Sequence, residues 1–303
     1  MTTKLSKSSL TSLACFAGLI ALSTVASAQP ATIAIGSDGE HPESITAGAD
    51  GALYVGSWGK SAVYRVAPGA AMAEPFITDG LDTVAGVFAY GDTLWVCSSA
   101  GIGGDGPASA NAYDIASGAL KGSYAFPGGG FCNDFAVGRD GTLYASDTSN
   151  ARILALKPGE TEFSVFAEDA DLLAGVDGLA VLDGELIANS VTQSTIIYIE
   201  ITPDYGFGGM HALPLSQPIE GPDGMRALRS DQGLLLVEGN RLDLVTLDSA
   251  GATITVLQDG FDGATGVTQL GHMAYVVEGK LAYLFDPDMG DPGAFEAIPV
   301  AIP

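Results

Sequence analysis

Basic residues are scarce in this chain. Its 303 residues include 12 Lys and Arg against 36 Asp and Glu, which gives a formal net charge of −24 at pH 7. Nucleic acids and anionic membranes attract basic proteins, and an acidic surface repels their phosphates. The sequence therefore predicts neither a nucleic-acid partner nor a membrane partner, and its charge is compatible with cation binding.

Histidine and cysteine are also rare, with three of each. His41, His211 and His272 are scattered, no Cys/His spacing resembles a zinc site, and no G-x-S-x-G nucleophile elbow occurs. A Ser-His-Asp hydrolase is therefore not expected. Cys97 and Cys132 are expected either to pair in an oxidising compartment or to remain buried thiols.

Long apolar runs are absent except near the start of the chain. Lys4 and Lys7 precede an apolar run over about residues 13–25, and Ala26-Ser27-Ala28 has the small-x-small pattern of a cleavage site. The run is too short to span a bilayer comfortably. We expect a signal peptide over 1–28 and export to the periplasm or the medium. A lipoprotein attached at Cys15 is the alternative, although the residues before it form a poor lipobox.

Cleavage would leave 29–303, with 10 basic and 36 acidic residues and a net charge of −26. This part aligns with itself six times, each time at a three-residue step into an apolar strand. The steps are Glu43-Ser44-Ile45, Ala85-Gly86-Val87, Asn133-Asp134-Phe135, Asp177-Gly178-Leu179, Asp223-Gly224-Met225 and Thr265-Gly266-Val267. Their spacings are 42, 48, 44, 46 and 42 residues.

Each step is followed by a second apolar strand, and several of these pairs are separated by Asp-Gly or Gly-Asp turns typical of hairpins. A third strand follows, as at 62–66, and a fourth is visible at 161–166 and 252–257. Repeats of 40–50 residues with four short strands are typical of β-propellers. We predict an all-β fold, a single six-bladed β-propeller with four antiparallel strands per blade. Residues 31–35 or 295–302 would complete the last blade.

The first residues of the six steps should meet around the propeller axis. This column, as we call it, consists of Glu43, Ala85, Asn133, Asp177, Asp223 and Thr265, with Asp134 as a further carboxylate. Other Asp-Gly pairs, such as Asp183-Gly184, lie between the first and second strands and are hairpin corners. Asp177 and Asp223 instead precede the inner strand. The carboxylates of the column predict a metal site, and oxygen ligands suit Ca²⁺, Mg²⁺ or Mn²⁺ better than Zn²⁺. The alternative to a metal site is a hydrated acidic channel.

Four motifs stand in the correct blades and order to indicate a family. Pro42-Glu43, Asn133-Asp134, Asp177-Gly178-Leu179 and Pro222-Asp223-Gly224-Met225 resemble the regucalcin/gluconolactonase family of six-bladed lactone hydrolases. The resemblance covers about residues 36–290. It implies one divalent cation held by Glu43, Asp177 and Asp223. We expect this cation to be Ca²⁺, with Mg²⁺, Mn²⁺ and Zn²⁺ as the alternatives. The resemblance also implies that Asn133 and Asp134 contact the substrate and the outer shell of the metal.

The chain departs from this family at two positions. Asp177 stands where the family usually has Asn, and the added charge should bind a hard cation more tightly while making it a weaker Lewis acid. Phe131 stands where sugar lactonases often have Arg, and it offers an apolar face where a guanidinium would recognise hydroxyls. Trp58 is a further candidate for substrate stacking. It belongs to a rim expected from the ends of the second strands, together with Ser57, Cys97-Ser98, Asp147-Thr148, Asn189-Ser190, Glu238 and Glu278.

The resulting hypothesis is metal-assisted hydrolysis of a lactone or a related small cyclic ester by a monomeric exported enzyme, with Asp223 activating water. Two alternatives remain open at this point. One is a non-catalytic propeller that binds a ligand or a protein. The other is a propeller resembling strictosidine synthase or paraoxonase, acting on more apolar substrates, which Phe131 favours.

Overall fold

The computed structural model describes residues 31–101 and 106–303, together with Met1 and Thr2. The predicted signal peptide and the alternative attachment site Cys15 lie outside the described residues, apart from those first two. Residues 31–303 cluster as one compact unit. In the described part of the chain, no helix has the length and apolarity needed to cross a membrane.

The described strands form six four-stranded antiparallel sheets, which are the blades. Strand β1 spans Ile33–Gly36 and belongs to the last blade. The first three blades contain β2 (Pro42–Ala47), β3 (Leu53–Ser57), β4 (Ala62–Val66) and β5 (Glu74–Ile77); β6 (Val87–Tyr90), β7 (Thr93–Ser99), β8 (Ala108–Asp114) and β9 (Leu120–Ala125); and β10 (Cys132–Val137), β11 (Leu143–Asp147), β12 (Arg152–Leu156) and β13 (Ser164–Glu168).

The remaining blades contain β14 (Val176–Leu182), β15 (Glu185–Ser190), β16 (Thr195–Ile201) and β17 (Phe207–Ala212); β18 (Pro222–Ala227), β19 (Leu234–Glu238), β20 (Arg241–Asp248) and β21 (Gly251–Asp259); and β22 (Ala264–Leu270), β23 (Met273–Glu278) and β24 (Phe295–Ala301). A short helix α1 (Leu281–Phe285) and two 3₁₀ turns, Thr148–Asn150 and Pro287–Met289, complete the described elements. The predicted all-β, six-bladed architecture with four antiparallel strands per blade is confirmed.

Both chain ends complete the sixth blade. Its strand order is β22, β23, β24 and then β1, so the C-terminal strand is third and the N-terminal strand is outermost. Ile33 pairs with Ala297 in this ring closure. The sequence left open which end would close the ring, and the structure uses both.

The core lies between neighbouring blades. One cluster, for example, joins Ala110 of the second blade to Phe135 and Leu154 of the third. The first two strands of a blade are apolar on both faces because each face packs on an adjacent sheet. The inner strands therefore converge closely around the axis.

Glycine at the second position of the step permits this convergence. A Cβ at Gly86 would lie 2.1 Å from the carbonyl oxygen of Asn133 in the next blade, and one at Gly224 would lie 2.6 Å from that of Thr265. Both distances are below any real contact, so only glycine fits. The first and third blades have Ser44 and Asp134 at the same position, and there the side chains point into the channel, as described below.

A disulfide joins the second and third blades. Cys97 in β7 and Cys132 at the start of β10 are bonded, with a Cα–Cα distance of 5.3 Å. Both side chains are fully buried. Of the two possibilities left by the sequence, the structure shows the paired form. The bond immediately precedes Asn133 and so fixes the beginning of one inner strand.

Candidate metal centre

Three carboxylates from three blades meet at one end of the channel. Glu43, Asp177 and Asp223 lie near the starts of β2, β14 and β18, and each offers an oxygen within 4.8 Å of the others'. Glu43 and Asp177 are buried, and Asp223 is partly buried. The structure thus brings together the three residues that the sequence predicts as metal ligands. We call them the acid centre.

An irregularity in each inner strand turns these side chains toward the axis. The ladder register shifts between Pro42 and Ser44, between Val176 and Leu179, and between Pro222 and Met225. Each shift includes one of the three acids, and such bulges re-aim a side chain out of the regular alternation.

Side chains of the preceding blade pin two of these bulges. Ser146 Oγ donates to the carbonyl oxygen of Asp177 at 2.7 Å, and Asn189 Nδ2 donates to that of Asp223 at 2.6 Å. The backbone beneath both acids is therefore held by hydrogen bonds before any ligand arrives.

The acid centre is electrostatically strained. Burial is the main cause that raises the pKa of Asp177, to about 7, and the charge of Asp134 raises it further. Burial and the neighbouring carboxylates, Asp223 first among them, raise the pKa of Glu43 well above its usual range. Burial and the charge of Asp177 do the same to the pKa of Asp223. Like charges that share a buried site oppose one another's ionisation unless a cation neutralises them.

The donor set fits a small hard cation. Asp223 Oδ1 is buried and has no hydrogen-bond partner. The cavity at the acid centre is about 10 Å³, close to the roughly 10–15 Å³ that one water molecule requires. Three carboxylates around a space for one small species are ligands that Ca²⁺ or Mg²⁺ would accept. The residues present therefore fit a divalent cation.

Asn133 and Asp134 differ in their surroundings. Asn133 Nδ2 donates to Asp177 Oδ2 at 2.8 Å and to Thr148 Oγ1 at 3.1 Å, so the amide orients one acid. Asp134 Oδ2 accepts from the backbone N–H of Leu179 at 2.9 Å. Both side chains line the cavity, and both are buried.

Arg226 is a residue of the candidate site that the sequence analysis missed. It is buried, and its guanidinium crosses the channel from the fifth blade. Nη1 donates to Asp134 Oδ2 at 2.6 Å, and Nη2 donates to the carbonyl oxygen of Val87 at 3.1 Å and to Ser44 Oγ at 3.4 Å. The guanidinium also lies 5.5 Å from the centroid of the Phe88 ring. Arg226 therefore contributes to the wall of the cavity and provides a counter-charge next to the acid centre.

A signal for Arg226 existed in the sequence. It is the one Lys or Arg among the six inner strands β2, β6, β10, β14, β18 and β22 of the described chain. A cation in a strand that is apolar on both sides requires a buried partner of opposite charge. Asp134, which the sequence already places next to the column, is such a carboxylate.

The two aromatic candidates lie together at the same end of the propeller. Trp58 directly follows β3, and its ring centroid is 5.4 Å from that of Phe131, which directly precedes β10. Phe131 is only 1% exposed, so it packs beneath Trp58 and does not present an open apolar face. Trp58 itself is half-buried.

The polar residues expected to form a rim have another role. Asp147 Oδ1 accepts from the backbone N–H of Phe131 at 2.9 Å, and Glu278 Oε1 accepts from that of Asp262 at 2.8 Å. Glu238 Oε2 accepts from the backbone N–H of Glu220 in the same way. These buried side chains hold the loops that lead into the inner strands. The expectation of a polar rim is therefore corrected for these three.

Comparison with known proteins gives the fold a context. No protein-family model and no curated protein matches this sequence. Among solved structures, a gluconolactonase from Xanthomonas campestris is 16% identical over 88% of this chain and 88% of its own, with a TM-score of 0.65. The PQQ-bound form of an aldose sugar dehydrogenase from Streptomyces coelicolor is 15% identical over 90% of this chain and 97% of its own, with a TM-score of 0.62.

A third similar structure is a catalytically inactive virginiamycin B lyase from Staphylococcus aureus. It is 13% identical over 88% of this chain and 82% of its own, with a TM-score of 0.61. The resemblance to gluconolactonases is thus supported by the structure at the level of the fold. Three different chemistries share this fold, so the argument for function depends on the site.

Proposed function

We propose that the chain is an exported metal-dependent hydrolase of a lactone or a related small cyclic ester. The observation that carries the proposal is the acid centre, where Glu43, Asp177 and Asp223 from three blades surround a cavity of about 10 Å³. Export follows from the expected signal peptide. The partner is a small molecule, with neither nucleic acid nor membrane involved, and the active form is a monomer.

The three acids would hold one divalent cation, for which we favour Ca²⁺ over Mg²⁺, Mn²⁺ and Zn²⁺. When bound, the cation would polarise the substrate carbonyl as a Lewis acid. Asp177 is kept in position by Asn133, whose amide donates to it at 2.8 Å.

Asp223 is the candidate general base. Its Oδ1 is buried and lacks a hydrogen-bond partner within the protein, so this oxygen can accept a hydrogen bond from a water molecule. Asp223 would orient a water molecule and take its proton as the carbonyl carbon is attacked. Arg226 and Asp134 are paired with each other at 2.6 Å, so we assign them a supporting role in the wall of the cavity.

The other chemistries found on this fold are less well supported here. The lyase is described in a form inactivated by replacing one histidine with alanine. All three histidines of this chain lie in its described part, and none of them lines the acid cavity. Acidic oxygen donors without a histidine favour a metal-dependent hydrolase.

The test combines metal removal with one matched pair of substitutions. Asp223→Asn keeps the size of the side chain and should lower kcat by about 10²–10⁴ while the protein stays folded. Asp183→Asn changes another Asp-Gly dipeptide, at an exposed hairpin corner, and should leave kcat unchanged. Hydrolysis would be followed by pH-stat on aldonolactones, acyl-lactones and aryl esters, with each of Ca²⁺, Mg²⁺, Mn²⁺ and Zn²⁺.

Chelation provides the second arm of the test. Treatment with EDTA should abolish hydrolysis, and the preferred cation should restore it. Hydrolysis that persists in metal-free protein would refute the proposed mechanism. Tight cation binding without hydrolysis of any ester, and without an effect of Asp223→Asn beyond cation affinity, would indicate the non-catalytic binding propeller instead.

A further inference from the structure

Three aromatic side chains form a continuous group at the end of the propeller that carries the acid centre. Trp58 contacts Phe131 at a centroid distance of 5.4 Å and Phe285 at 5.6 Å, the latter edge to face. Phe131 is 1% exposed, Trp58 is half-buried, and Phe285 is 61% exposed. We call this group the aromatic wall. Its exposure increases from the buried Phe131 to the open Phe285.

The wall is held from beneath by backbone hydrogen bonds. The backbone N–H of Trp58 donates to the carbonyl oxygen of His41 at 3.0 Å, and the backbone N–H of Phe131 donates to Asp147 Oδ1 at 2.9 Å. Phe285 ends α1, which begins after Lys280, and Lys280 Nζ donates to two backbone carbonyls at 2.9 and 3.0 Å. Contiguous apolar side chains that reach the surface are a feature of ligand-binding grooves, whereas single exposed ones are common on any protein.

The wall is connected to the acid centre through short stretches of chain. His41, which binds the backbone of Trp58, lies two residues before Glu43. Phe131 lies two residues before Asn133, whose amide donates to Asp177 at 2.8 Å. Glu278, two residues before Lys280, pairs with Ala264 next to the column residue Thr265. The first, third and sixth blades therefore contribute Trp58, Phe131 and Phe285, one each, to the end of the propeller where the column lies.

We infer that the aromatic wall is the subsite for an apolar part of the substrate, and that it selects lactones bearing an aryl or acyl group over polyhydroxy sugar lactones. The inference rests on the proposed function and names its substrate class. A ring or acyl chain would lie on Trp58 and Phe285, and its lactone carbonyl would reach the acid centre. Phe131 supports Trp58 from beneath, so its effect on specificity is exerted through that side chain. A polyhydroxy sugar lactone offers less apolar surface to these rings than an aryl or acyl group does, so it would gain less from the contact.

Binding can be measured separately from turnover because the chain has two tryptophans. In a Trp95→Phe background, Trp58 is the one tryptophan that emits. Metal-free protein would be titrated with dihydrocoumarin, a lactone fused to a benzene ring, and with glucono-δ-lactone. We expect dihydrocoumarin to change the Trp58 emission and glucono-δ-lactone to leave it unchanged.

Phe285→Ser is the decisive variant, since an exposed side chain can be replaced without disturbing the core. Loss of one aromatic contact should weaken dihydrocoumarin binding about tenfold. Phe207→Ser, which removes a 44% exposed ring on the outer strand β17, is the matched control and should have no effect. Circular dichroism and the Ca²⁺ affinity of both variants should equal those of the parent protein.

The hydrolysis rates then separate this inference from the proposed function. With Ca²⁺ bound, Phe285→Ser should raise the KM for dihydrocoumarin about tenfold and leave the KM for glucono-δ-lactone unchanged. Calcium-dependent hydrolysis with equal preference for both lactones, or with no effect of Phe285→Ser, would overturn the subsite and leave the proposed function intact. Phe285-dependent binding without hydrolysis of either lactone would overturn the proposed function and leave the subsite intact.

Discussion

The carboxylate at position 177 has a cost that the amide expected there would not have. Asp177 is buried beside Asp134 and near Glu43 and Asp223, and its pKa is raised to about 7, with burial as the main cause. In an unfolded chain, an Asp titrates near pH 3.9. Between these two values the metal-free native state holds a proton that the unfolded state has lost. Its stability therefore falls as pH rises from about 4 to about 7.

Asp177→Asn should remove this pH-dependent loss. The amide oxygen can still accept the hydrogen bond from Asn133, and it does not titrate. In EDTA, the variant should therefore exceed the parent in free energy of unfolding by a margin that grows with pH up to about 7. Over each pH unit in which the native parent holds this proton and the unfolded chain does not, the difference in free energy of unfolding grows by about 1.4 kcal/mol. Urea unfolding at pH 4.5, 6 and 8 measures the margin.

Calcium should reverse the order of the two proteins. The parent keeps three charged ligands and should bind the ion more tightly, so saturating Ca²⁺ should stabilise it more than Asp177→Asn. The substitution Asp183→Asn at an exposed position serves as the control. It should alter neither the stability in EDTA nor the stability in saturating Ca²⁺. A metal-free Asp177→Asn protein that gains nothing at pH 8 would contradict the raised pKa.

The elements of this propeller are joined at their ends by side chains. In the second, third, fifth and sixth blades, a residue at or near the end of the second strand accepts a backbone N–H from the loop before the inner strand. These acceptors are Ser98, Asp147, Glu238 and Glu278. Their position at the ends of the second strands could be predicted from the sequence. Their polarity alone did not distinguish a side chain that anchors a loop from one that contacts a substrate.

The disulfide has a comparable role between elements. It closes a segment of 35 residues between β7 and β10. In the chain-entropy description, such a crosslink stabilises a protein by about 4 kcal/mol. The double substitution Cys97→Ala/Cys132→Ala should lower the free energy of urea unfolding by that order.

A reducing agent supplies the control for this prediction. It should destabilise the parent protein by a similar amount and leave the double variant unaffected, because no bond remains to break. If neither the reducing agent nor the double substitution changes the free energy of unfolding, the two cysteines are not bonded in solution.

The repeat made most of the elements predictable, because its signals are local. The predicted third strand at 62–66 agrees with β4, and the predicted fourth strand at 252–257 lies within β21. The phase of Asp177 and Asp223 relative to the inner strands also separated them from hairpin corners. Arg226 was not found because its partners Asp134, Val87 and Ser44 lie 92, 139 and 182 residues away along the chain. A charge pair across the axis has no spacing that a repeat can indicate.

On the scale of the whole molecule, Arg226 joins the fifth blade to three blades that are not its neighbours in the ring. From the fifth blade it donates to Asp134 of the third, Val87 of the second and Ser44 of the first. Each of these bonds crosses the channel. The ring of blades is thus closed at its rim by β1 and β24 and braced near its axis by one side chain.

Removing this brace should be costly mainly because of the charge left behind. Arg226→Met deprives the buried Asp134 of its partner, and breaking a buried pair from one side costs about 3–5 kcal/mol. The double variant Arg226→Met/Asp134→Asn removes both charges, while the amide oxygen can still accept the N–H of Leu179, which Asp134 accepts at 2.9 Å. In EDTA at pH 8, it should be more stable to urea than Arg226→Met by about 2 kcal/mol or more. A double variant no more stable than the single one would mean that the geometry of the guanidinium, and not its charge, holds the inner strands together. In that case Arg226→Lys, which keeps the charge, should unfold as readily as Arg226→Met.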